Sequence, residues 1–164
     1  MVWALWFSAD CGSAKIAGPQ SSKVEKAQLP VSSVTLTPEH SIASFPVAAS
    51  VFTGVSDVLE VEITKVVNPA ATPVTILVSL ADSKADKVEK EPNSIGNFSL
   101  YPADQPGKFL LRATPALRRA STANGTGKSP DMRLVFEMKR IDESRAWTPL
   151  EVTISQPKWR AAEK

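Results

Sequence analysis

Residues 58–63 read Val58-Leu59-Glu60-Val61-Glu62-Ile63. Leu59, Val61 and Ile63 fall on one side of an extended chain and Glu60 and Glu62 on the other, the period of two that writes a half-buried β-strand. Helical spacing does not fit this run. The same alternation returns in Val74, Ile76, Val78 and Leu80, again in Met132, Leu134, Phe136 and Met138, and again in Leu150, Val152 and Ile154. Each run has one apolar face to bury. With residues 33–37, 45–52, 95–101 and 108–113 the chain holds about 7–8 short strands separated by turns containing proline or glycine, which predicts an all-β fold, an antiparallel β-sandwich. One helix of a turn or two is predicted over 115–121, with Thr114 as N-cap and Pro115 at the first helical position.

The totals are those of an ordinary domain. At 164 residues, 43% hydrophobic and 22% charged, the chain can build one real core with some extra segment. Thirteen prolines against seven glycines suit short strands better than long helices. A formal charge of +2, with no long basic run, leaves no phosphate-backbone footprint, so nucleic acid is not an expected partner. The single cysteine, Cys11, cannot close an internal disulfide. A single histidine, His40, cannot by itself supply an imidazole copper or zinc site.

Residues 1–7 (MVWALWF) are strongly apolar but too short to span a bilayer, and no basic stretch precedes them as a secretory signal would require. Ser8-Ala9-Asp10-Cys11 departs from a lipoprotein box in the aspartate before the cysteine. Residues 12–29 are small, polar and weakly patterned, a linker. The expected organisation is an apolar tail and linker over 1–29, a sandwich over 30–157 and a polar tail over 158–164.

Motifs that carry chemistry fall short of it. Gly127-Lys128-Ser129 ends like a phosphate-binding loop, but Thr122 stands where its opening glycine belongs, and Pro130-Asp131 and a strand follow where a helix is required. Asp82, Asp86, Glu89 and Glu91 alternate with Lys84, Lys87 and Lys90, a self-neutralised loop rather than a cation site. There is no nucleophile elbow, no His-Glu-x-x-His and no Cys-x-x-Cys. Arg118-Arg119-Ala120-Ser121 matches a basophilic kinase site, which makes Ser121 a candidate phosphoacceptor; the same residues also read as a basic helix end. Two sequons occur: Asn97, expected inside a strand and inaccessible, and Asn124, on a loop and the candidate glycosylation site if the chain is secreted.

Three pieces in this order resemble the C-terminal β-sandwich domain of the tyrosinase and polyphenol oxidase family. Phe45-Pro46-Val47 before an apolar strand is similar to the opening of that domain. Residues 58–67 (VLEVEITKVV), a turn and residues 74–80 (VTILVSL) resemble the family's paired strands, although Thr75-Ile76-Leu77-Val78 stands where the family has lysine-phenylalanine-aspartate-valine. Ile95-Gly96-Asn97-Phe98-Ser99-Leu100 looks like its glycine-containing strand. The likeness covers 45–156. Trp3-Ala4-Leu5-Trp6 also has the spacing of the tryptophan pair that ends the family's last copper-ligand helix; alternatively these are two tryptophans on a short segment that docks on the domain or on a partner.

The resemblance implies a non-catalytic domain that packs over the mouth of a dicopper site, acting by protein–protein contact, in the thylakoid lumen or exported. The family's copper site needs six histidines, so the chain is not expected to be an enzyme, and copper would lie only in a partner or parent domain. In the family a loop side chain fills the substrate pocket; no motif here names one. The alternative is a structural accessory subunit of a larger assembly, anchored by its N-terminal tail, with Trp3, Trp6 and Phe7 as candidate partner contacts.

Overall fold

The structure is a computed structural model and describes residues 32–53, 56–83, 93–123, 131–142 and 148–161. In chain order it runs β1 (Ser33–Leu36), β2 (Ile42–Pro46), α1 (Ser50–Thr53), β3 (Val58–Val67), β4 (Val74–Asp82), β5 (Ser94–Ser99), β6 (Gly107–Arg112), α2 (Thr114–Ala123), β7 (Met132–Arg140), β8 (Glu151–Ser155) and β9 (Lys158–Arg160). Two antiparallel sheets form. One has the order β1-β8-β3-β6 with β9 also on β3, and the other β2-β7-β4-β5. This is the predicted all-β sandwich. The inward residues of the alternating runs, among them Leu59, Val61, Ile63, Val74, Ile76, Val78, Leu134, Phe136, Val152 and Ile154, form one buried core. Each such side chain contributes on the order of 1.5–3 kcal/mol of transfer free energy. Phe45 and Phe136 meet edge to face at 5.9 Å inside it.

Several details depart from the sequence expectation. The strand expected over 45–52 is two elements. Pro46 has no N–H for a ladder and closes β2 at a sheet edge, where proline is tolerated; the chain then turns through Val51 N–H to Ala48 C=O and Phe52 N–H to Ala49 C=O into the one-turn helix α1. The strand after Phe45-Pro46-Val47 is therefore absent, and the described residues hold two short helices rather than one. β3 and β4 are not paired with each other. They lie in opposite sheets, β3 between β6 and β8, and β4 between β7 and β5.

Thr114 is the opening residue of α2 rather than its cap. Leu117 N–H donates to the Ala113 carbonyl, which places the cap at Ala113, and the Thr114 hydroxyl turns away to donate to Asp57 Oδ1 at 2.8 Å.

The segment expected to be a polar tail contains β9. After β8 leaves its pairing with the Ile63–Val67 half of β3, Gln156 and Pro157 interrupt the edge, and Lys158–Arg160 resumes on Glu60, Leu59 and Val58. Trp159, opposite Leu59, packs against the core. The sandwich therefore continues to Arg160. That also explains Glu60, which is 7% exposed although it sits on the outward face of β3: the Arg160 guanidinium meets its Oε2 at 2.6 Å.

Candidate functional site

The register gives the sandwich two ends. At one, β3 ends at Val67 and β4 begins at Val74. Asn68, 4% exposed, stands between them. Its side-chain amide donates to the Thr72 and Ala103 carbonyls at 2.9 Å each, and its Oδ1 accepts from Thr72 N–H at 2.9 Å. The carboxamide carries both donors and an acceptor, so one buried side chain satisfies the β3–β4 turn and ties it to the β5–β6 turn. Thr72 and Thr148 hydroxyls add a 2.9 Å bond at the same end.

The β5–β6 turn is held from two sides. Leu100 is buried in the core and the Ala103 carbonyl is fixed by Asn68. Between them Tyr101, the chain's only tyrosine, is 96% exposed. A tyrosine ring carries a large apolar area with a polar tip and few rotatable bonds, the composition of an interface anchor. The peptide bond to Pro102 is cis.

At the other end Asp57 gathers three elements. Its N–H donates to the Arg160 carbonyl at 2.9 Å, its C=O accepts from Ala113 N–H at 2.8 Å, and its carboxylate accepts the Thr114 hydroxyl. Two adjoining grooves open here. One of about 500 Å³ lies between α1 and α2, lined by Val51, Phe52, Asp57, Leu117, Arg118 and Ser121. The other, about 410 Å³, follows the end of β6 and is lined by Asp57, Val58, Leu110, Arg112, Thr114 and Arg118.

Of the residues singled out from sequence, Trp3, Trp6, Phe7, Cys11 and Asn124 lie outside the described residues, as do Gly127-Lys128-Ser129 and Asp86, Glu89 and Glu91. Ser121 is exposed near the end of α2, its hydroxyl donating to the Leu117 carbonyl at 3.0 Å, while Arg119 donates to the Ser94 carbonyl at 3.1 Å. A kinase that reads this tetrapeptide in extended form would have to unwind that turn. Asn97 is in strand β5 as expected but is exposed, because β5 is an edge strand with an outward face. His40 is exposed in the turn after β1. Among the described residues no three His, Cys, Asp or Glu side chains gather to hold a metal ion, and no helix is long and apolar enough to cross a membrane.

Asn68 and Tyr101 were not reached from the sequence. The signals available were an asparagine opening the proline-flanked stretch 68–73 and a lone tyrosine followed by proline at a strand end.

No family model matches the chain, and no curated protein matches it. Among solved structures it is similar to a recombinantly expressed latent aurone synthase (polyphenol oxidase), with 16% identity and a TM-score of 0.46, and to the latent aurone synthase (polyphenol oxidase) from its natural source, with 16% identity and a TM-score of 0.44. In each case the similarity covers 84% of this chain and 26% of the other, so the chain spans about a quarter of the length of those proteins.

Proposed function

We propose that this chain is a non-catalytic β-sandwich that works by protein–protein contact, shielding the active site of a dicopper phenol oxidase as the C-terminal domain of the tyrosinase and polyphenol oxidase family does. Any copper belongs to the partner. The sequence resemblance over 45–156 supports the parentage. The observation that carries the mode of action is Tyr101, a large side chain 96% exposed on a turn that a buried asparagine and a buried leucine hold still. An exposed aromatic on a fixed turn loses little conformational freedom when a partner covers it, which is what makes a contact residue effective.

The test is to add the purified full chain to the purified catalytic domain of a dicopper phenol oxidase and follow phenol oxidation. The chain should lower the rate, and Tyr101→Ala should need at least about tenfold more protein for the same effect, the equivalent of about 1.4 kcal/mol of contact. An unchanged rate, with capture of a multi-subunit assembly only when residues 1–7 are present, would overturn the reading in favour of an accessory subunit.

A further inference from the structure

The five edge strands among the described residues, β1, β9, β2, β5 and β6, are not equally protected. A free edge offers a row of backbone donors and acceptors to any extended chain, and folded proteins blunt such edges by shortness, charged side chains, proline, bulges or covering groups. β1 has four residues and β9 three. β2 ends in Pro46. β5 faces a register shift between Val78 and Ser79 of β4, and the Arg119 guanidinium donates to its Ser94 carbonyl. β6, Gly107-Lys108-Phe109-Leu110-Leu111-Arg112, has six residues, no proline and an unbroken register with β3, and is guarded only by the charges of Lys108 and Arg112, which a segment of opposite charge would satisfy. Among the described residues no strand is hydrogen-bonded to its outer side, although β5 packs against it through the stacked rings of Phe98 and Phe109, 4.1 Å apart.

The side chains along this edge set what could be added. Exposure alternates: Lys108, Leu110 and Arg112 point outward, and Gly107, Phe109 and Leu111 are half-buried. Leu110, 68% exposed, is one of the few large apolar side chains left in solvent, and it lines the groove of about 410 Å³ with Arg112 and Arg118. A second copy of this strand is a poor match. Antiparallel self-pairing centred on Leu110 would set Lys108 against Arg112, and like charges directly opposite are destabilising. An extended segment with carboxylates flanking an aliphatic residue has the complementary order.

We infer that the outer edge of β6 is a docking site for an acidic, aliphatic peptide segment of a protein partner, added as an antiparallel strand. Its aliphatic side chain covers Leu110 and its carboxylates meet Lys108, Arg112 and Arg118. Main-chain hydrogen bonds provide affinity in such β-augmentation, and alternate side chains provide choice. Lys108 already reaches Glu62 at 3.4 Å, so the arginines at the other end of the strand carry most of the charge selection. Arg112 and Arg118 also have the fork geometry that accepts a carboxylate bidentately. This end of β6 is the one away from Tyr101, so the site does not depend on the shielding role.

The experiment uses the full chain and a fluorescent peptide carrying Glu-Thr-Val-Thr-Glu, read by anisotropy, with amide hydrogen exchange as the second readout. The expected result is saturable binding, slowed exchange within residues 108–112, at least about tenfold weaker binding for Lys-Thr-Val-Thr-Lys, and a similar loss for Arg112→Glu combined with Arg118→Glu. Both arginines are exposed, and circular dichroism checks that the variant is folded. An N-methylated peptide, unable to complete the ladder, should also lose about tenfold. Absence of binding, equal binding of the lysine peptide, or full binding of the N-methylated peptide would each overturn the inference; the last would mean simple anion binding by the arginines. Sedimentation of the chain as a dimer dispersed by Leu110→Asp would overturn it too, by seating a second copy on this edge.

Discussion

The two ends of the sandwich solve one problem with different chemistry. Each must tie loops from separate sheets without leaving backbone groups dry. At the Asn68 end a neutral carboxamide does this in the interior, with three hydrogen bonds and no charge to desolvate. At the Asp57 end the tie is spread over backbone bonds, a part-buried carboxylate–hydroxyl bond, and the Arg160–Glu60 pair carried in by β9. A buried amide concentrates the stability of its end in one residue. A distributed tie does not, and the partly exposed end is left with arginines that a partner can use.

This contrast breaks most easily at Asn68. Asn68→Leu keeps the bulk but strands the Thr72 and Ala103 carbonyls and the Thr72 N–H, and a buried polar group without a partner costs about 1–3 kcal/mol. Relaxation and water entry soften the sum, so the expected loss in urea denaturation is about 3 kcal/mol with the fold retained. A loss under about 1 kcal/mol would mean that the turn is held by its packing and that the ends are alike.

At the other end the effect should be asymmetric and smaller. Arg160→Met keeps the stem against the sheet but leaves the Glu60 carboxylate, 8% exposed at the side chain, without its ion partner; the expected loss is about 1–2 kcal/mol, held down by the 57% exposure of the arginine itself. Glu60→Gln removes the charge and keeps an acceptor, and should cost less than about 1 kcal/mol. Equal losses from the two changes, by thermal or chemical unfolding, would show that the geometry of the pair matters here rather than the burial of the carboxylate.

How much of this was legible follows from what each feature depends on. The core of β3, β4, β7 and β8 could be read directly, since period two is a local property and every inward residue named from it is buried. Which strands pair was not local: VLEVEITKVV and VTILVSL look like a hairpin, yet the turn from Asn68 to Pro73 carries the chain across to the other sheet. β9 was missed because three residues after Pro157 are too few to show a period, and their partners lie about a hundred positions upstream. The burial of Glu60 is a consequence of β9, so it could not be read without it. The candidate contact surfaces were hidden for a related reason. Tyr101 and Leu110 become distinctive only once their neighbours are buried, and exposure is a property of the whole fold.

The smallest expected effect lies within the Asn68 end and has the opposite sign. Ala71, in the turn between β3 and β4, has φ of 46°, the left-handed region where a Cβ crowds the following carbonyl. Its N–H still donates to the Asn68 carbonyl at 2.9 Å, so the conformation is imposed by the same turn that the amide organises. Ala71→Gly removes the crowding, on the order of 1 kcal/mol, but gives the unfolded chain more freedom, so a net gain of about 0.5 kcal/mol is expected in unfolding. The side chain is exposed and makes no core contact that the change would forfeit. The double change with Asn68→Leu sharpens the point. If the amide holds this turn in its left-handed form, the turn relaxes once the amide is gone, and the gain from glycine should shrink toward zero. If the gain persists in full, the backbone path is set by Pro69 and Pro73 on either side, and Asn68 acts only as the cross-tie to Ala103.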